Sequence, residues 1–178
     1  MYLELLNYGA AAQTYFSYNE SNLVNANVSE DQKTFAIPEV TQVKEVLVKG
    51  TGYVGSTMAL NSEMQLLFVI SQSAVQNATR VEITFRDHRN KEDSEKCIEI
   101  LRDDFEKYLT TSNWQYTVKG LAIADGDTVV TCTVYGVDNE VLSKSIDSIN
   151  HYAFRQRGKS DLYPMLLRFT QAAYNYFH

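Results

Sequence analysis

Acid–base or metal chemistry would most naturally start from the three histidines, His88, His151 and His178. No two of them stand at HxH or HxxxH spacing, so they offer no paired ligands on one strand or helix face. His88 falls in a charged turn, His178 is the last residue, and His151 beside Tyr152 reads as a structural histidine on a helix. Asp103, Asp104 and Glu106 contain the carboxylates a glycosidase needs, but neighbours within one turn read more simply as a solvated acidic face. Asp125-Gly126-Asp127 and Asp138-Asn139-Glu140 gather oxygen donors suited to calcium. Neither has the length of an EF-hand loop or its closing bidentate glutamate, and both read as β-turns. Gly50-Thr51-Gly52 with Gly55 lacks the following helix that a phosphate loop requires. No GxSxG or Walker pattern is present, and the GxGxxG spacing of Gly50, Gly52 and Gly55 stands without that helix. The expectation is therefore a non-enzymatic chain with no cofactor and no metal, Asp125 and Asp127 being weak calcium candidates.

Binding chemistry has more material. Sugar-binding sandwiches use planar aromatic rings with amides nearby, and Trp114, Tyr116 and Tyr53 are the candidates here, with Tyr15, Tyr18, Asn19 and Asn22 as a further group. Against this, most of the 12 tyrosines follow helical or strand periodicity and so suit the seams between helices and sheet. Cys97 and Cys132, each in a strand-like run, read as two buried free thiols or as one disulfide between neighbouring strands.

A net charge of −6, from 22 acidic and 16 basic residues, argues against nucleic acid, whose partners need a concentrated basic face. The densest basic cluster, Arg86, His88, Arg89 and Lys91, is followed at once by Glu92, Asp93 and Glu95 and reads as a solvated hairpin tip. Apolar runs such as Leu66–Ile70 are far too short to cross a bilayer, so no membrane insertion is expected. No signal-peptide pattern opens the chain, which begins inside a helix pattern and reads as a fragment of a longer protein.

These groups must be positioned by a modest set of elements. Leu5, Tyr8, Gly9, Ala12, Tyr15 and Phe16 recur at helical spacing, with Gly9-Ala10-Ala11-Ala12 leaving room for close packing and Tyr15 and Phe16 expected to be buried. An Asn-rich loop follows, and Ser29-Glu30-Asp31-Gln32 has capping-box spacing. Strands are expected at Glu45–Lys49, Tyr53–Leu60, Met64–Ile70, Arg80–Arg86, Trp114–Val118, Thr128–Tyr135 and Val141–Ser145, separated by tight turns that suggest a sandwich. Cys97–Leu109 reads either as one amphipathic helix or as a strand, Cys97–Leu101, followed by a turn containing Phe105. Helices close the chain at Ile146–Gln156 and Asp161–Phe177. The fold class is mainly β, an immunoglobulin-like antiparallel β-sandwich flanked by N- and C-terminal α-helices, with an α+β domain as the alternative. The expected division is helix and polar loop over 1–28, sandwich over 29–146 and C-terminal helices over 147–178.

The end helices are related to each other: LLNYGAAAQTYF (Leu5–Phe16) and LLRFTQAAYNYF (Leu166–Phe177) are identical at six of twelve positions. That suggests a repeat unit of sandwich plus helix. The stretch LLNYGAAAQTYFSYNESNLVNA, followed by VEITFRDHRNK, WQYTVKGLAIADGDTVVTCTVYG and SIDSINHYAF, resembles a repeat-type module of large secreted or surface-attached proteins of gut Clostridia and related Firmicutes. Arg168 and Thr170 depart from that pattern. The resemblance implies a secreted or cell-surface location, neighbouring modules of the same polypeptide as partners, a spacer, scaffold or adhesion role, and the strand reading of Cys97–Leu101. It brings no catalytic residues. A carbohydrate-binding module for host or plant glycan, using exposed Trp114, Tyr116 and Tyr53, is the alternative.

Overall fold

In the computed structural model, which describes residues 1–60, 63–87 and 94–178, strict alternation becomes seven antiparallel strands in two sheets. One sheet orders β1 (Tyr53–Leu60), β2 (Met64–Ser71) and β5 (Asn113–Leu121) as β1-β2-β5. The other orders β3 (Arg80–Asp87), β4 (Ser94–Leu101), β6 (Val130–Tyr135) and β7 (Val141–Asp147) as β4-β3-β6-β7. Inner-face residues Leu66, Phe68, Ile70, Trp114, Tyr116 and Val118 meet Val81, Ile83, Ile100, Cys132 and Val134 in one core cluster. This is the immunoglobulin-like sandwich flanked by helices. Cys97–Leu101 belongs to β4, and Phe105 turns into the core from the short helical stretch Arg102–Tyr108, so the single-helix reading of Cys97–Leu109 fails. The turn at Asn61-Ser62 and the charged tip His88–Asp93 lie outside the described residues.

The two ends of the sandwich are built differently. At one end β7 runs into α3 (Ile149–Gln156), and α4 (Leu162–Phe177) packs on α3 and on the turn Ile123–Asp125. Ile149, Ala153, Leu166 and Leu167 extend the core there. At the other end the β2–β3, β4–β5 and β6–β7 connections meet with no helix layer over them among the described residues. They are tied together: Gln72 N–H donates to Ser112 O (3.2 Å), Arg102 N–H to Thr79 O (2.9 Å) and Thr79 N–H to Tyr135 O (2.8 Å). Asp138 and Asn139 both take positive φ (55° and 63°), the geometry of a tight hairpin turn, which accounts for the acidic cluster at 138–140.

The strand expected at Glu45–Lys49 shrinks to one bridge, Val48 with Ile146 on the edge of β7. Just beyond it the chain crosses from one sheet to the other at Gly50. A Cβ at Gly50 would lie 2.6 Å from the Lys144 backbone, so only glycine permits this crossing, and Ser143 and Ser145 supply small side chains beneath it.

The opening helix α1 (Tyr2–Tyr15) packs on α4 rather than on the sheets. Tyr8 stacks on Phe169 at 5.5 Å, and Tyr15 meets Tyr163 edge-on at 6.3 Å. The buried Glu4 carboxylate accepts from Arg168 Nη2 and from the Ile37 backbone N–H, both at 2.9 Å. The expected burial of Tyr15 and Phe16 is corrected: they are 47% and 48% exposed, because the face that packs is set by Glu4, Tyr8 and Ala10. The room at Gly9 is taken by the chain's own Asn-rich loop, for a Cβ there would lie 2.8 Å from Val24 Cγ2. Gln13 holds that loop, accepting from Val24 N–H (2.9 Å) and donating to Asn22 O (3.1 Å). Ser29 and Gln32 form the expected capping box on the short helix α2 (Glu30–Lys33).

Both cysteines are free, and a disulfide between them is excluded because they face opposite sides of one sheet: Cys97 pairs opposite Thr84, Cys132 opposite Ile83. Cys97 is exposed rather than buried, and burial pushes the Cys132 thiol up to about 12. A thiol reagent applied to the folded chain is expected to label Cys97 alone, with Cys132 reacting only on denaturation; mass spectrometry of the labelled peptides checks this. Replacing Glu4 by Ala leaves Arg168 without its buried partner and is expected to cost about 3 kcal/mol in chemical denaturation. Glu4→Leu combined with Arg168→Leu is expected to recover part of that loss.

Candidate functional site

The residues singled out for binding do not converge. Trp114 and Tyr116 alternate with Gln115 along β5 and face inward, at 4% and 0% exposure. Phe105 packs edge-on against both, at 5.3 Å and 6.2 Å. The expectation of an exposed Trp114–Tyr116 platform is therefore corrected: strand alternation places both rings on the core face. Trp114 nevertheless forms part of the wall of a polar cleft at the open end of the sandwich.

Tyr53 goes elsewhere, into the main polar cluster of the protein. Its hydroxyl donates to Ser56 Oγ (3.0 Å), and Ser56 in turn donates a short hydrogen bond to Asp147 Oδ2. Asp147 is fully buried at the end of β7. Arg155, two turns along on α3, clamps it in bidentate fashion, Nη1 to Oδ1 at 3.0 Å and Nη2 to Oδ2 at 2.6 Å. The Ser148 backbone N–H adds a bond at 2.9 Å, and His151 Nδ1 lies 3.2 Å from Oδ1. Arg155 Nη1 is also 2.7 Å from His151 Nδ1. A guanidinium only donates, so Nδ1 is the acceptor and the neutral ring carries its proton on Nε2.

The elements dictate this arrangement. Ser148 caps α3 by accepting from His151 N–H (3.1 Å), and the helical spacing of His151 and Arg155 then places both beside the strand end that carries Asp147. Burial alone would raise the Asp147 carboxyl; the bonds from Arg155 and Ser56, with the guanidinium charge, outweigh it and hold the group below the ordinary carboxylate value. Burial would lower the Arg155 guanidinium, and Asp147 more than offsets this, so its value is raised. Serine, histidine and aspartate are thus brought together, but not as a nucleophilic triad. Ser56 donates to the aspartate itself and accepts from Arg155 Nη2 (3.0 Å), so its hydroxyl is occupied on both sides. The cluster is built to hold β1, β7 and α3 in register.

The calcium candidates serve a second joint of this kind. Asn150 Nδ2 donates to Asp127 Oδ1 (2.9 Å), Asn150 N–H to Gly126 O (2.9 Å), and Thr170 Oγ1 to Asn150 Oδ1 (2.8 Å). The turn at 125–127 therefore fastens the start of α3 to α4, with Gly126 pressed against the Asn150 side chain. Among the described residues no three His, Cys, Asp or Glu side chains gather as a metal site.

Asp147, Arg155 and Ser56 escaped the reading of motifs, though one signal was present. Asp147, His151 and Arg155 stand at i, i+4 and i+8 across a strand–helix junction with Ser148 as its cap. Ser56, remote in sequence, gives no such sign.

Asp147→Asn is expected to lower stability at neutral pH by about 3–5 kcal/mol, since it leaves Arg155 opposite a neutral amide. Because the folded carboxyl lies below its unfolded value, its contribution is complete above about pH 4 and is lost as the pH falls through the folded value. The wild-type melting temperature should therefore fall on acidification through that range more steeply than that of Asp147→Asn. Comparison of the chain with protein-family models, with curated proteins and with solved structures found no match, so the functional argument rests on these residues alone.

Proposed function

We propose that the chain is a non-enzymatic module of a secreted or cell-surface protein, a spacer or adhesion unit that works beside neighbouring modules of the same polypeptide. The observation that carries this reading is a matched pair of exposed aromatic steps. Tyr15–Phe16 on α1 and Tyr176–Phe177 on α4 occupy equivalent positions of the two related helix sequences. Each pair packs edge-on, at 5.1 Å and 90° and at 5.2 Å and 89° respectively. All four rings are exposed, at opposite ends of the chain.

Apolar rings held outward in the same geometry suit contact with a like surface on an adjoining unit. The resemblance to surface-protein modules supports the same reading, as does the way Ser56 and Asp147 bond to each other and to Arg155 rather than to a reactant site. No helix among the described residues is long and apolar enough to cross a membrane. The carbohydrate alternative loses its stacking platform, since Trp114 and Tyr116 face the core and Tyr53 is engaged by Ser56.

Two copies joined in tandem provide the test. The joined copies are expected to melt at a higher temperature than one copy and to hold a fixed separation in small-angle scattering. Phe177→Ser in the first copy with Phe16→Ser in the second should abolish both effects. Tandem copies that melt like a single one and move independently would overturn the modular contact.

A further inference from the structure

We propose that the open end of the sandwich carries a binding site for a sugar acid, with Arg102 as the carboxylate anchor. The site is a cleft of about 550 Å³ between the β2–β3 and β4–β5 connections, within the size range of small-ligand pockets. Polar side chains line much of it: Gln72 and Gln76 present amides, Ser71, Ser73 and Ser112 present hydroxyls, and Arg102 and Trp114 complete the wall.

Arg102 gives this lining a sign. It is exposed, and among the described residues its guanidinium makes a single hydrogen bond, a long one from Nη1 to Ala78 O at 3.4 Å. It lies 5.4 Å over the Phe105 ring, which in turn packs on Trp114, so the cation is held by stacking while most of its N–H groups stay unused. None of the lining residues is acidic, which selects a carboxylate over an amine or a metal cation.

The remaining groups narrow the class. Glutamine amides and serine hydroxyls both donate and accept, which matches the hydroxyls of a sugar ring. The aliphatic side chains of a peptide would meet no aliphatic wall here. Rigidity comes from the loops themselves, since Gln72 is bonded to Ser112 and Arg102 to Thr79 through the backbone. The same end of immunoglobulin variable domains displays the loops that bind ligand.

Trp114 is the only tryptophan, so its single indole N–H resonance reports on this cleft without assignment ambiguity. The experiment titrates the full ¹⁵N-labelled chain with glucuronate, with glucose and with acetate. Glucuronate is expected to move the indole resonance saturably, in the roughly millimolar range, with glucose and acetate each weaker by about tenfold or more. Arg102→Gln should weaken glucuronate by about tenfold with the remaining spectrum preserved, and Gln76→Ala, on a different loop, should weaken it too. An indole resonance that glucuronate does not move saturably would overturn the site. Acetate binding as well as glucuronate would overturn the saccharide, and unchanged affinity in both variants would overturn the assigned residues.

Discussion

Everything in the sandwich end that carries the helices depends on the Asp147–Arg155 ion pair. A carboxylate removed entirely from water is tolerated only when its lone pairs are filled, and here donors arrive from three elements: Ser56 on β1, Ser148 ahead of α3, and Arg155 on α3. Such a pair adds little net stability compared with an apolar substitute, but it is intolerant of partial assembly. That intolerance fixes the relation between two sheets that share an apolar core. The Gly50 crossing matters for the same reason, because it delivers β1 alongside β7 and so brings Ser56 to the aspartate.

A second ion pair repeats the logic one layer further out. Glu4 and Arg168 join α1 to α4, and the Ile37 N–H ties the intervening chain to the same carboxylate oxygen. A further joint is formed by the hydrogen bonds among Asp127, Asn150 and Thr170. The helical layer is thus specified by polar contacts at its edges while leucine and tyrosine side chains fill its interior. Arg168 and Thr170 are both partners in these contacts.

The strands were legible because period-two alternation of Val81, Ile83 and Phe85, or of the residues of β6, follows directly from which face is wet. Turn chemistry at Gly136–Glu140 and the capping box at Ser29 were legible for equally local reasons. Trp114 and Tyr116 obeyed the same alternation, and it should have outweighed their chemical appeal as a sugar platform. Misreading arose where the deciding contact was distant. The face of α1 is chosen by a charged residue, Glu4, whose partner lies at the far end of the chain, so an apolar stripe through Tyr15 and Phe16 pointed the wrong way. The cleft beside Trp114 could not be seen from the sequence, since Gln72, Arg102 and Ser112 become neighbours only after the β2–β3 and β4–β5 connections are tied together.

The contact between Glu4 and Arg168 spans 164 positions, which bears on how the chain folds as it is made. During synthesis α1 emerges ahead of the sandwich but has no surface to dock on until α4 has left the ribosome. Until then its buried-to-be carboxylate and the loop of residues 19–28 can form only local structure, and contacts of such long sequence separation close late and slowly. The sandwich can assemble meanwhile from hairpin neighbours, so the helical layer is expected to be the last part of the molecule to become protected from solvent exchange. The N-terminal helix would then be among the last elements to find its place.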